Sequence, residues 1–145
     1  MKKLFIPFIL LLIIAGCGGE EPEKLEVYNT EAFAYDIGDG TWEVNAHTRV
    51  KGFKQNENNN TFTASLSFEV DLVTPAGNIV SSLINKTEDK SNNERMMDAD
   101  LEAQFELDST YVPGKYNVVF RVRDILSEQA DSSSASFEIE GEEEM

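Results

Sequence analysis

Apolar and polar residues alternate with a period of two along much of this chain, and this pattern limits the possible folds more than any other feature of the sequence. It is clearest from Thr61 to Val73, where every second residue is apolar: Phe62, Ala64, Leu66, Phe68, Val70 and Leu72. Successive side chains of a β-strand point to opposite faces of the sheet. The segment is therefore predicted to be a strand with one face in a core and the other in water.

The same alternation, bounded by turn signals, predicts six more strands. The seven predicted strands are Leu25 to Tyr35, Thr41 to Phe53, Thr61 to Val73, Ile79 to Ile84, Met97 to Leu107, Tyr116 to Val122 and Ala135 to Ile139. In the first strand we expect Phe33 and Tyr35 to point inward. The segment from Met97 to Leu107 is rich in helix-forming residues and could instead form a helix with one apolar stripe. We favour the strand because its alternation is unbroken over eleven residues.

Polar and turn-rich stretches separate the predicted strands. Tight turns are predicted at Asp36 to Gly40, Pro75 to Asn78 and Pro113-Gly114. Longer loops are predicted at Gln55 to Asn60, Asn85 to Glu94 and Asp124 to Ser132. We expect Asp124 to cap a turn. Seven strands within about 115 residues predict one all-β domain, a two-sheet antiparallel sandwich.

One short segment carries a resemblance to a known class of domain. Pro113-Gly114-Lys115-Tyr116-Asn117-Val118 resembles the turn and tyrosine corner that open the sixth strand of immunoglobulin-like domains. From Leu25 to Glu140 the chain resembles immunoglobulin-like and fibronectin type III-like modules. Val118 stands where antibody domains carry a cysteine, and Trp42 on the second strand is closer to the type III arrangement. The resemblance implies that the second strand pairs with the fifth and the third with the sixth.

Opposite charges meet across both implied strand pairs. The predicted partners are Arg49 and Lys51 with Asp98, Asp100, Glu102 and Glu106, and Arg121 and Arg123 with Glu69 and Asp71. Each such cross-strand pair stabilises a sheet by about 0.2–1 kcal/mol. These charges therefore favour the implied register more than they stabilise the fold.

The N-terminus combines a basic start, an apolar run and the single cysteine of the chain. Lys2 and Lys3 precede an apolar run from Leu4 to Ala15, which is shorter than the roughly 20 residues of a membrane span. The run ends in Ile14-Ala15-Gly16-Cys17, which resembles the lipobox at the end of a bacterial lipoprotein signal peptide. The resemblance implies cleavage between Gly16 and Cys17, with diacylglycerol and an N-acyl chain attached covalently to Cys17.

We therefore expect four segments: a signal peptide at 1–16, the lipidated cysteine and an acidic tether at 17–24, the sandwich at 25–140 and an acidic tail at 141–145. Two or three acyl chains are enough to anchor a protein to a membrane. The expected location is the cell envelope, in the outer membrane of a diderm bacterium. The outer face of the plasma membrane is the alternative.

Charge and cysteine content restrict the partners further. Once Lys2 and Lys3 are removed with the signal, ten basic residues oppose 27 acidic ones, a net charge of −17. Such a charge repels nucleic acid, so we expect no nucleic-acid partner. Cys17 is the single cysteine, and a disulfide within the chain is therefore impossible.

The sequence offers no set of residues suited to catalysis. The one histidine, His47, falls on an outward strand face, and the resemblance to a lipobox implies that the lipid occupies the thiol of Cys17. The motifs G-x-S-x-G, S-x-x-K, H-E-x-x-H and C-x-x-C do not occur. We therefore predict no enzyme activity, no catalytic residue and no cofactor apart from the covalent lipid.

Two weaker binding features remain. Asp36 and Asp39, followed by Gly40, could contribute to a Ca²⁺ site, which needs six to eight oxygen ligands, but turn geometry explains the Asp-Gly pair equally well. Tyr28, Tyr35 and Tyr111 could cluster near one end of the sandwich. Otherwise no metal ligand is predicted.

The sequence predicts a membrane-anchored, non-catalytic interaction or accessory module that binds a protein or a cell-envelope polymer through its loops. One alternative is a proteinase inhibitor, with Asn85 to Glu94 as the protruding loop. Another is a Ca²⁺- or solute-binding lipoprotein.

Overall fold

A computed structural model describes residues 23–141, which form two antiparallel sheets with no helix in that range. The strands are β1 (Glu26–Gly38), β2 (Thr41–Lys51), β3 (Asn56–Asn58), β4 (Thr61–Val73), β5 (Ile79–Asn92), β6 (Ala99–Leu107), β7 (Gly114–Asp124) and β8 (Ala130–Ile139). The predicted all-β sandwich is confirmed, but it has eight strands and not seven. The segment predicted from Met97 is a strand, so the helical alternative is wrong.

One sheet has three strands in the order β1-β2-β6. The other has five: β5 pairs with one edge of β4, β7 and the short β3 pair with the other edge, and β8 pairs with β7. The two pairings implied by the resemblance are confirmed, because β2 pairs with β6 and β4 pairs with β7.

The core lies between the sheets and consists of the inward residues of each strand. Among the residues buried to 98 % or more are Val44, Val50, Leu66, Phe68, Leu72, Leu101, Tyr116, Val118 and Phe120. Burying a large apolar side chain stabilises the fold by about 1.5–3 kcal/mol. The Tyr116 hydroxyl donates a hydrogen bond to the carbonyl oxygen of Val112 over 2.6 Å, which confirms the tyrosine corner.

The predicted loop from Asn85 to Glu94 is wrong, because β5 continues to Asn92 and pairs with β4 along this length. Its inward residues Lys86, Glu88 and Lys90 lie opposite Phe68, Leu66 and Ala64. β5 is the outermost strand of the larger sheet, and the facing sheet has two strands fewer. The inward positions therefore lie at the margin of the sandwich, where Lys86 is exposed, Glu88 and Lys90 are partly exposed, and Lys90 donates a hydrogen bond to the carbonyl oxygen of Asp100 on β6 over 3.2 Å. Inward-pointing charges on an edge strand also discourage unwanted strand addition.

Two other predicted loops contain strand residues. Between Gln55 and Asn60 the chain forms β3 and turns back at Asn59 and Asn60, whose φ angles are 51° and 61°. Two consecutive positive φ values are typical of a tight hairpin turn, in which Asn is favoured. The loop predicted to end at Ser132 ends earlier, because β8 begins at Ala130.

The predicted inward orientation of Phe33 and Tyr35 is wrong. Both side chains point outward and are 48 % and 55 % exposed. The register of β1 against β2 shifts between Tyr28 and Glu31, and Asn29 has a φ of 50°. A β-bulge adds a residue to one strand and exchanges its two faces beyond that point. Val27 is therefore buried before the bulge, and Ala32 is buried after it.

The strand directions place the chain entry at one end of the sandwich. Residues 23–25 lie at this end with the connections 52–55, 93–98 and 125–129, and we call it the anchor end. The turns 39–40 and 74–78 and the loop 108–113 lie at the opposite end, which we call the far end.

Hydrogen bonds tie the entry of β1 to β8 at the anchor end. The backbone N–H of Leu25 donates to Oε1 of Gln129 over 2.9 Å. The N–H of Val27 donates to Oδ2 of Asp131 over 2.9 Å. These bonds satisfy the backbone N–H groups of Leu25 and Val27. The point where the tether joins the domain is therefore held in place.

Candidate interaction surface

Cys17 and Gly16 lie outside the described residues, so lipidation and cleavage stay predictions from the sequence. Within residues 23–141, no helix has the length and apolar character needed to cross a membrane.

Asp36 and Asp39 lie in and beside the turn between β1 and β2, at the far end. Oδ1 of Asp36 accepts a hydrogen bond from the backbone N–H of Gly38 over 2.8 Å, and Asp39 has a φ of 55°. Both residue types are favoured in such turns. Residues 23–141 contain no group of three His, Cys, Asp or Glu side chains that could hold a metal ion. The geometry assigns the Asp36 carboxylate and the Asp39 backbone a role in the turn, and calcium binding stays a prediction.

His47 lies on the outer face of β2, as predicted, and its side chain is 43 % exposed. Its Nε2 is 3.1 Å from Oε2 of Glu31 on β1, and Glu102 is its register partner on β6. The imidazole therefore lies in a cross-strand polar row on the surface.

The predicted tyrosine cluster is wrong. Tyr28 pairs with Arg49 and Tyr35 pairs with Glu43, which places these two tyrosines six residues apart along β2. At about 3.4 Å per residue this is roughly 20 Å. Tyr111 contacts Tyr116, with 6.3 Å between ring centroids.

Two of the four predicted basic residues have their predicted acidic partners. Nη2 of Arg49 lies 2.8 Å from Oδ2 of Asp98, and the guanidinium of Arg121 lies 2.8 Å from both Glu69 and Asp71. The hydrogen bonds from Arg121 lower the pKa of Asp71 below its ordinary value.

The other two basic residues have different partners. Lys51 lies 3.3 Å from Glu26 on β1, and Arg123 lies 3.7 Å from Glu128 in the turn after β7. β2 is the central strand of its sheet, so an outward side chain such as Lys51 can reach an acidic residue on either side.

The outer face of β1 carries an apolar stripe towards the far end. Phe33, Tyr35 and Ile37 are consecutive outward residues of this strand and are 48 %, 55 % and 51 % exposed. The row of Phe33 continues across the sheet with Asn45 and Gln104, and the row of Tyr35 continues with Glu43 and Glu106. We call these seven residues the β1 face.

A groove of about 340 Å³ lies beside Phe33 on this face. Its lining includes the side-chain positions Asn45, His47, Glu102 and Gln104, together with Lys86 from the other sheet. Binding sites typically combine apolar area with a few well-placed polar groups. The β1 face has both.

A larger groove of about 620 Å³ lies on the outer face of the five-stranded sheet. Its polar lining includes Ser67, Glu69, Asn85, Arg121 and Ser132. The guanidinium of Arg121 is already paired with Glu69 and Asp71, so a ligand would have to compete with those ion pairs. The smaller groove on the β1 face is therefore the better candidate site.

Sequence reasoning missed this surface because it placed Phe33 and Tyr35 in the core. One signal of the bulge was present in the sequence: Asn29 interrupts the first strand, and Asn adopts a positive φ more readily than most residues. Residues before and after an Asn inside a strand can therefore face opposite sides.

No protein-family model and no curated protein matches the chain. Among solved structures, a β-glucuronidase of Bacteroides uniformis is 10 % identical, with a TM-score of 0.48, over 79 % of this chain and 13 % of that one. A putative β-galactosidase of Bacteroides fragilis is 13 % identical, with a TM-score of 0.46, over 76 % of this chain and 16 % of that one.

The alkylpurine DNA glycosylase AlkC of Pseudomonas fluorescens is 12 % identical, with a TM-score of 0.45, over 87 % of this chain and 32 % of that one. The chain thus spans about an eighth to a third of the length of these proteins. Similarity this distant does not assign a function or a family to the chain.

Proposed function

We propose that this protein is a lipid-anchored module of the bacterial cell envelope that binds a partner without catalysing a reaction. The observation that supports the binding role is the stripe of Phe33, Tyr35 and Ile37, three neighbouring apolar side chains that stay about half exposed. Isolated apolar residues are common on protein surfaces, whereas contiguous ones mark interaction sites. The proposal therefore assigns the partner to the β1 face rather than to the loops expected from the sequence.

The anchor would act through Cys17, six residues before Glu23. At 3.3–3.6 Å per residue an extended chain of this length spans about 20 Å. The tether would therefore keep the anchor end close to the membrane, and the far end would be free to meet a partner. The outer membrane of a diderm bacterium is the proposed location, with the outer face of the plasma membrane as the alternative.

The alternatives gain less support from the geometry. A proteinase inhibitor was expected to use Asn85 to Glu94 as a protruding loop, but most of that segment belongs to β5. A Ca²⁺- or solute-binding role would use Asp36 and Asp39, whose positions the turn already explains.

Replacing Cys17 with serine should abolish lipidation. The thiol is the group that takes the diacylglycerol, and a serine hydroxyl cannot replace it in the lipobox reaction. Cells fed an alkyne fatty acid should label the wild-type protein and not the Cys17→Ser variant, and intact mass should show that residues 1–16 are absent from the wild type alone. A wild-type protein without label, or one that retains residues 1–16, would contradict the anchoring proposal.

Crosslinking in cells should locate the partner on the β1 face. A photo-reactive amino acid at Tyr35 should give a discrete, reproducible adduct, because this position lies within the proposed surface. The matched control is the same amino acid at Ile79, a 65 % exposed residue of the five-stranded sheet at the same end. Equal adducts from both positions, or from Ile79 alone, would refute the assignment of the binding role to this face.

A further inference from the structure

The outward charges of the three-stranded sheet are complementary near the anchor end. Arg49 pairs with Asp98, and Lys51 pairs with Glu26. On the five-stranded sheet, Arg121 likewise pairs with Glu69. Cross-strand neighbours of opposite charge stabilise a sheet, and like charges directly opposite one another destabilise it.

This complementarity breaks down beside Tyr35. Glu43 of β2 lies directly opposite Glu106 of β6, and Tyr35 is the next residue along the same row. Asp36 and Asp39 add two more carboxylates at this end. Within residues 23–141, none of these four acidic side chains lies within 4.0 Å of a basic group. Lys86 lines the groove one row away.

One edge of the β1 backbone also forms no ladder with another strand at this end. β1 pairs with β2 along one edge. No strand among the described residues forms a ladder with its other edge, although β8 runs beside it near Thr30, whose hydroxyl donates a hydrogen bond to Ser133 over 2.7 Å. Near the anchor end, the side chains of Gln129 and Asp131 accept hydrogen bonds from this second edge. From Glu31 to Gly38 the described residues provide no comparable interstrand bond. An open edge is where an extended peptide can add as a further strand.

We infer that the β1 face binds a basic, extended polypeptide segment that lies along the open edge of β1. Apolar side chains of the segment would cover Phe33, Tyr35 and Ile37. A lysine or arginine would lie between Glu43 and Glu106, where it would relieve their repulsion and could contact the ring of Tyr35. This inference rests on the proposed role as an interaction module, names the chemistry of its partner and does not depend on the lipid anchor.

Other occupants fit less well. A second copy of this chain would bring a second set of the same acidic residues against the first, and the mature chain already carries −17. A neutral glycan could stack on Phe33 and Tyr35, but it would bring no positive charge to Glu43 and Glu106. Within the described residues, Glu43 accepts one neutral hydrogen bond, from Nδ2 of Asn45 over 2.9 Å. A cation would offset the repulsion between Glu43 and Glu106, the one pair of like charges that lie opposite each other on this face.

A peptide-binding assay tests the inference with the full chain purified in detergent. The probes are a fluorescent peptide of alternating lysine and valine and its counterpart of alternating glutamate and valine, each also measured against detergent alone. The basic peptide should bind and the acidic one should not, and its affinity should fall as salt screens the charges. The double variant Phe33→Ser/Tyr35→Ser should weaken binding at least about tenfold. Ile79→Ser, the control, should change it less than about twofold.

The variant Glu106→Gln gives a readout that a merely structural role would not produce. Removing one of two opposed charges should raise the Tm of the free protein by about 1–4 °C. The same change should lower the affinity for the basic peptide several-fold. Glu138→Gln, an exposed residue of β8, should do neither. Equal binding of both peptides, an unchanged affinity in Glu106→Gln, or Phe33-dependent binding of neutral glycans in place of the peptide would each overturn the inference. The crosslinking result at Tyr35 would still decide the proposed function separately.

Discussion

Replacing Asp124 with alanine should lower the free energy of unfolding by about 3–5 kcal/mol. The side chain of Asp124 is completely buried at the anchor end. Its Oδ2 accepts hydrogen bonds from the backbone N–H of Lys54 over 2.7 Å and from the hydroxyl of Ser127 over 2.6 Å. Its Oδ1 accepts one from the N–H of Leu126 over 3.1 Å. One carboxylate thus holds two separate connections, 52–55 and 125–129.

The loss is large because alanine would leave the part-buried N–H groups of Lys54 and Leu126 without their acceptor, at a cost of about 1–3 kcal/mol each. Urea denaturation of the wild type and the variant measures it. The control is Asp108→Ala: Asp108 also accepts a backbone hydrogen bond, from Thr110 over 3.0 Å, but it is exposed, so water can replace it and the loss should stay below about 1 kcal/mol. Equal losses for the two variants would show that burial of Asp124 does not matter.

Replacing Gly52 with alanine should destabilise the domain by at least about 3 kcal/mol. Gly52 has a φ of +76°, and a Cβ there would clash with the carbonyl oxygen of Lys24. An L-residue in this backbone conformation costs roughly 1–2 kcal/mol by itself. The contact adds to this cost, because the neighbouring atom belongs to the backbone and cannot rotate away. Lys24 joins the tether to β1, so the substitution should also loosen the entry of the chain.

Gly77 provides the matched control for this prediction. Its φ is +84°, and a Cβ there would have nothing within 4 Å. Gly77→Ala should therefore lower the free energy of unfolding by only about 1–2 kcal/mol, the cost of placing an L-residue in this backbone conformation. Thermal unfolding compares the two variants, and hydrogen exchange at Leu25 and Val27 should quicken in Gly52→Ala but not in Gly77→Ala. If both variants lose the same stability, the close approach to Lys24 is not what requires glycine.

Asp124 shows which contacts of a single residue could be predicted from the sequence and which could not. Its role in capping a turn was predicted from its place after a strand, and the hydrogen bond from Leu126 agrees with that role. The bond from Lys54 was not predictable, because Lys54 is 70 residues away in the chain and only the packing of the two sheets brings it close.

The candidate site was harder to predict from the sequence than the core was. Phe33 and Tyr35 were singled out, but on the wrong side of the strand, because one extra residue at the bulge exchanges the two faces. The opposition of Glu43 and Glu106 depends on the exact register of β2 against β6. A shift of one residue would move either side chain to the other face.

The sequence by itself determined the strands that have one face in the core and one in water, such as β2 and β4. For these strands burial selects apolar residues at every second position, and the period identifies both the strand and its faces. The tyrosine corner was also readable, because its geometry is local: the hydrogen bond from Tyr116 reaches back only four residues to Val112.

Tertiary structure alone decided the features that lack this contrast between two faces. The second half of β5 has charged residues on its inward side because it lies at the margin of the sandwich, where the narrower facing sheet covers it only in part. No alternation of apolar and polar residues therefore marks it as a strand. The outward direction of the stripe on β1 was set by a single bulge, and the repulsive acidic pair beside it was set by strand register. Each depends on which residues meet across strands, and the order of residues along one strand does not contain that information.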